Sequence, residues 1–256
     1  MSKTPTFDFS RPILITAALK QEIRPLIKKL AAKRYKPEEV KDLFYVEMKG
    51  KQLFFLITGV GKKQVRYRLK KVLKLINIET IISIGMAGAV EKGLVVGDNV
   101  LSQKVLLENH KGEYELECNG VKRRFHSIDL DTFEAAGMKI VGKNLTVPDV
   151  YRTEEKKALG NHFCLLDMET FYIAKVAKEL IAEVKIYSIR SISDDLHSKI
   201  PPLNNVTGST FNKGLMVLLN SLKNPENFYW YPKAYLNCAK SIQSNTEFIF
   251  RLISIK

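Results

Sequence analysis

Apolar positions along the chain switch between two periods. Runs of consecutive apolar residues at Ile13-Leu14-Ile15-Thr16, Leu53 to Ile57, Thr80 to Ile84 and Asn99 to Leu107 read as strands buried on both faces. Between them, apolar residues recur at helical spacing: Ile23, Leu26, Ile27 and Leu30, then Val65, Leu69, Val72, Leu73 and Ile76. Phe44–Met48 and Leu53–Ile57 flank Lys49-Gly50-Lys51 and predict a β-hairpin with Gly50 in the turn. Residues 145–147 predict a short strand, and Phe211, Leu215, Leu218, Leu219 and Leu222 lie on one face of a predicted closing helix. Strands alternating with helices predict a three-layer α/β/α sandwich around a central mixed, largely parallel sheet. The expected organisation is a single domain over residues 12–223, an N-terminal arm over 1–11 and a C-terminal helical extension over 224–256.

The segment from Phe163 to Asp194 organises the rest. A short apolar strand ends in Asp167-Met168-Glu169, a helix follows, and a second strand ends in Ser193-Asp194-Asp195. A strand-helix-strand unit normally sets its strands parallel, which predicts both carboxylate clusters at the carboxyl ends of neighbouring strands. Open α/β sheets bind ligands at that edge.

Other stretches carry weaker signals. Glu22 follows the first strand near a helix N-terminus, where the dipole favours a carboxylate, and Pro25 is expected in that helix's first turn. A first-turn Glu is also what helix stability alone would select. The Thr58-Gly59-Val60-Gly61-Lys62 turn opens a helix and could offer backbone N–H groups to an anion or sugar, but it lacks the third glycine of the dinucleotide fingerprint and the ending of a P-loop. Residues 108–143 read as an exposed hairpin with solvent-facing His110 and His126, and 196–208 as a long loop. The cluster Phe228-Tyr229-Trp230-Tyr231-Pro232 reads as an anchor for the C-terminal helix or an oligomer contact, with a nucleobase platform as the other option.

A formal charge of +14 raises the question of a nucleic-acid partner, but the 41 Lys and Arg residues are spread along the chain without a basic tail. A solvated cationic surface is the expectation, with neither nucleic acid nor membrane as a partner. Cys118, Cys164 and Cys238 form no CxxC pair, Cys164 reads as a small core residue, and no metal-ligand spacing occurs, so a reducing compartment and no metal site are expected. The start MSKTPTFDFSRP shows no apolar signal core, which predicts a cytoplasmic protein.

Taken in order, Ala18-x-x-x-Glu22, Thr58-Gly59-Val60-Gly61-Lys62, Gly85-Met86-Ala87-Gly88, Val96-Gly97-Asp98, Asp167-Met168-Glu169 and Ser193-Asp194 resemble the nucleoside phosphorylase and nucleosidase superfamily. Within it the chain is most similar to the 5'-methylthioadenosine/S-adenosylhomocysteine nucleosidases. The resemblance implies hydrolysis of the N-glycosidic bond of a purine, adenosine-type nucleoside, without a cofactor. It implies Glu22 as the base that activates water and Asp194, beside Ser193, as the acid facing purine N7, its proton retained through burial or repulsion from Asp195. Glu169 would bind ribose hydroxyls, Met168 would pack under the sugar, and Tyr151 would stack near the base. Gly61 would line the sugar side. Met86 stands where relatives commonly carry a hydroxyl residue that helps hold the nucleophile. Phosphorylases of this superfamily surround phosphate with arginines, and only Arg24 is close to Glu22 in sequence, so water is favoured over phosphate as nucleophile. A homodimer is also implied. A phosphate-dependent phosphorylase and a silent nucleoside-binding protein are the alternatives.

Overall fold

The computed structural model describes residues 12–35, 40–107, 113–115, 138–151, 153–159, 162–198 and 227–254. β1 (Ile13–Ala17) has no exposed residue, as its unbroken apolar run requires, and lies between β4 (Lys51–Ile57) and β5 (Thr80–Ala89), parallel to both. β10 (Lys185–Asp194) lies parallel on the other side of β5, completing the parallel heart β4-β1-β5-β10. β3 (Leu43–Met48) and β2 (Lys33–Tyr35) extend the sheet antiparallel beyond β4. The predicted hairpin joins β3 to β4 through Lys49 and Gly50, at φ 53° and 73°. Two residues of positive φ match the twist of the flanking strands, and glycine adopts that conformation without a Cβ clash.

The opposite side of the sheet closes on itself. β10 pairs antiparallel with β6 (Asn99–Leu107), β6 parallel with β8 (Met138–Thr146), and β8 parallel with β9 (Leu165–Asp167). β9 then pairs antiparallel with the end of β5, so that β5, β10, β6, β8 and β9 form a ring, with β7 (Glu113–Glu115) added at β6. Closure satisfies backbone groups that an open edge would leave to solvent.

The helices cover the sheet as the sequence pattern requires. α1 (Lys20–Lys29) buries Ile23, Leu26 and Ile27, and α2 (Gly61–Leu75) buries Val65, Leu69, Val72 and Leu73. A short α3 (Thr153–Ala158) precedes β9, and α4 (Thr170–Leu180) buries Phe171, Ile173, Ala174, Val176 and Ala177. α2 packs with α4, and α1 packs with α5 (Asn227–Ser254), which also lies on β10 and β5.

Several expectations are revised. β9 and β10 are not parallel neighbours: β10 runs with β5, whereas β9 runs against it and pairs only at Gly88 and Ala89. Three residues are too few to enter the parallel heart, and β9 serves instead as the strap that closes the ring. β8 begins at Met138, within the segment expected to be an exposed hairpin, and β5 runs on through the small residues Gly85 to Ala89. Pro25 is the sixth residue of α1 and so lies in its second turn. The C-terminal segment is helical as expected, but Phe248, Ile249, Leu252 and Ile253 are buried in the main core. The predicted helix over 211–222, His110 and His126 lie outside the described residues, as does most of the 196–208 loop.

Candidate active site

The carboxyl ends of β1, β5 and β10 gather most of the predicted site. Glu22, at the third position of α1, is buried. Its Oε2 accepts the backbone N–H of Leu19 at 2.8 Å, half of a capping box, and its Oε1 accepts the backbone N–H of Met86 at 3.1 Å. The carboxylate thus ties the first turn of α1 to β5. Burial raises its pKa above the ordinary glutamate value, opposed by the two N–H groups and the charge of Arg190. Gly85 is glycine for a steric reason: a Cβ there would stand 3.0 Å from Glu22 Oε1.

Glu169 caps the far side. It follows β9 and turns its Oε1 to the backbone N–H of Gly61, 3.3 Å away at the N-terminus of α2. Its pKa is pushed up to about 8, first by burial and then by the negative charge of Asp167, with Arg190 opposing and Glu22 adding. The two glutamates therefore lie within electrostatic reach of each other. Met168 is half-buried beside it in the chain.

Asp194 ends β10 opposite Gly88 of β5. Its Oδ1 accepts the Ser193 hydroxyl at 2.7 Å, and its Oδ2 accepts the ammonium of Lys156 from α3. Asp195, expected to act on Asp194 by repulsion, turns its carboxylate to the Ser198 hydroxyl at 2.8 Å and the His197 backbone N–H at 2.9 Å. Among the described residues, the charged group that contacts Asp194 directly is therefore the Lys156 cation.

Asp167 is not a site carboxylate, although it adjoins Met168 and Glu169. It is buried and accepts Arg190 Nε at 3.1 Å and the Thr146 hydroxyl at 2.7 Å. Arg190 spends its remaining N–H groups inside the protein as well. Nη1 donates to the Ser83 carbonyl at 2.8 Å and the Ile189 carbonyl at 3.2 Å, and Nη2 to the Ser83 hydroxyl at 2.8 Å and the Thr170 hydroxyl at 2.6 Å. With every guanidinium donor engaged, Arg190 contributes charge to the pocket but no free hydrogen bond.

The structure thus brings together Glu22, Met86, Gly61, Glu169, Ser193 and Asp194. Tyr151 packs on the cluster of Val90, Leu106, Leu145, Val147, Phe163 and Leu166, beside the junction of β5 and β9. Three side chains were missed from sequence. Arg190 did carry a signal, since a lone arginine inside an apolar strand needs a buried anion. Lys156 carried none: it is 2% exposed while its neighbour Lys157 is 56% exposed, and nothing in Glu-Glu-Lys-Lys distinguishes them. Cys238 of α5 is the third. Its thiol pKa is raised by burial and then by the charges of Asp194 and Glu22, which places it within electrostatic reach of both.

Comparison with known proteins agrees with this architecture. Over a stretch of 91 residues the chain is 33% identical to 5'-methylthioadenosine/S-adenosylhomocysteine nucleosidases from strains of Haemophilus influenzae, a match spanning 35% of the chain and only 39% of those relatives' length. Solved structures with the same fold include the Helicobacter pylori nucleosidase of that name (TM-score 0.67, 14% identity, 95% of this chain and 98% of that one). Arabidopsis thaliana 5'-methylthioadenosine nucleosidase (TM-score 0.68, 14% identity, 99% and 98%) and Helicobacter pylori futalosine hydrolase (TM-score 0.66, 14% identity, 95% and 97%) share it too. The family model described as the phosphorylase superfamily matches residues 12–207, so the chain belongs to the phosphorylase superfamily.

Proposed function

We propose that the protein is a nucleosidase that hydrolyses the N-glycosidic bond of a purine, adenosine-type nucleoside. The observation that carries this reading is Glu22: a buried carboxylate of raised pKa, held by two backbone N–H groups at the rim shared by Glu169 and Asp194. Raising its pKa makes it a stronger base toward water. In the step envisaged, water attacks ribose C1' and gives its proton to Glu22, while the electron pair of the C1'–N9 bond leaves with the purine. Glu169, near neutrality for a carboxyl at about 8, offers ribose hydroxyls both an acceptor and, when protonated, a donor. Asp194 faces the base, and Met168 lies under the sugar.

Water rather than phosphate is supported by the arginines. Arg190 has its donors engaged, and Arg24 is exposed on the solvent side of α1. Among the described residues no other arginine accompanies Glu22 in the pocket. Met86 leaves the placement of Glu22 intact, because Glu22 is held by the main chain of residue 86, while the attacking water lacks the side-chain hydroxyl that the family resemblance implies there.

The test is a panel of purine nucleosides assayed with and without phosphate. Release of free base and free sugar in phosphate-free buffer is the expected result, and strict phosphate dependence would make the protein a phosphorylase. The same reading makes it a homodimer, which rests on the sequence resemblance and is tested by light scattering, and a cytoplasmic protein, which is tested by cell fractionation. Among the described residues no helix is long and apolar enough to cross a membrane.

A further inference from the structure

Lys156 is a buried cation to which the mechanism above assigns no role. We infer that Lys156 and Asp194 act as one acid, with Lys156 supplying the proton that Asp194 passes to purine N7. The inference rests on the nucleosidase reading and deepens it.

Three observations meet here. The Lys156 ammonium is 2% exposed and donates to Asp194 Oδ2, with Nζ also 3.5 Å from the Asp194 carbonyl oxygen. Burying an ammonium is costly unless it is paired, so the short helix α3 has placed it for that contact. The other carboxylate oxygen accepts the Ser193 hydroxyl at 2.7 Å. Both oxygens are therefore served by donors, the pattern of a carboxylate and not of a carboxylic acid holding its own proton. Finally, Gly88 leaves room for the pair: a Cβ at that position would stand 2.8 Å from Asp194 Oδ2 and 2.9 Å from Lys156 Nζ.

Among the described residues, Cys238 of α5 senses both Asp194 and Glu22, and Glu22 in turn acts on Glu169. Asp195 is turned to His197 and Ser198. Lys156 is thus the cation in direct contact with the group that faces the base. As the C1'–N9 bond breaks and its electron pair moves onto the purine, a proton of the Lys156 ammonium passes to the Asp194 carboxylate and from there to N7. Lys156 ends as a neutral amine, and Asp194 ends as the carboxylate it was at the start. Water forms the new bond to C1' and gives its proton to Glu22, and solvent returns both side chains to their starting states.

The test compares the full-length wild type with Lys156→Met, Lys156→Arg and Gly88→Ala. Lys156→Met is expected to lower kcat by about 10²–10⁴ with a smaller change in KM. Its residual activity should grow as pH falls, because the departing base must then draw its proton from solvent without Lys156. Lys156→Arg keeps the charge but releases no proton, so kcat stays low, while Gly88→Ala, which wedges the pair apart, reproduces the loss. An Arg variant with wild-type kcat, or a Met variant with an unchanged pH profile, would overturn the inference.

A binding measurement separates this from the hydrolytic reading. Calorimetry at about pH 8 should show wild type preferring adenine over 7-deazaadenine by about ten-fold, a preference that Lys156→Met abolishes. Equal affinity of wild type for the two bases would refute the N7 contact. If no nucleoside is hydrolysed yet the Lys156-dependent preference is present, hydrolysis fails and the contact with the base stands.

Discussion

Glu22 Oε1 accepts the backbone N–H of Met86 at 3.1 Å, so the carboxylate proposed as base is positioned by main chain at the residue where the family resemblance implies a hydroxyl that holds the nucleophile. The identity of side chain 86 should therefore matter little to Glu22. Met86→Ser is expected to keep kcat within about ten-fold of wild type, whereas Glu22→Gln lowers it by about 10²–10⁴. Gly85→Ala brings a methyl group to 3.0 Å from Glu22 Oε1, and the displacement should cost about ten-fold or more in kcat. Steady-state kinetics on the three variants checks the set; a Met86→Ser loss as deep as that of Glu22→Gln would show that the side chain matters after all.

Glu169 makes stability depend on pH in a definite direction. Its folded-state pKa is raised from 4.5 to about 8, so between those values the native state binds more protons than the unfolded chain. Stability should fall as pH rises through that window and level off above it, and the raised pKa of Glu22 acts with the same sign. Glu169→Gln is expected to flatten the slope and to be more stable than wild type at about pH 8, while KM for the nucleoside rises because the ribose loses its carboxyl partner. Urea midpoints across the window test it; a wild-type midpoint that climbs toward about pH 8 contradicts the assignment.

Arg190 and Asp167 are buried together, with Nη2 3.0 Å from Oδ2. Removing only the cation strands a buried carboxylate, which costs about 3–5 kcal/mol. Arg190→Met should show that loss in equilibrium unfolding, and adding Asp167→Leu should recover part of it, since replacing both charges leaves no orphan. Additive losses in the double variant would mean that the two side chains do not act as a pair.

Ile249 reports on whether α5 belongs to the main body. It is fully buried in the core cluster shared with β1, β5 and β10. Ile249→Ala is expected to cost about 2–5 kcal/mol, read as a lower midpoint in a single cooperative transition. A separate, earlier transition for the C-terminal segment would make residues 224–256 an appendage.

By itself the sequence determined the parallel heart of the sheet, the β3–β4 hairpin and the helices α1, α2 and α4, because each is written in a local period of apolar residues. Ordered motifs also pointed to the family and to Glu22, Glu169 and Asp194, since glycines and acids at strand ends have few other uses. Only the tertiary structure decided that β9 runs against β5, because three residues carry no directional signal of their own. It alone turned Asp167 inward to Arg190 while Glu169, two residues on, opened to the pocket. The same holds for Lys156, indistinguishable in sequence from exposed Lys157 and yet buried against Asp194. Long-range pairing of charges depends on which strand ends meet, and no local pattern encodes that.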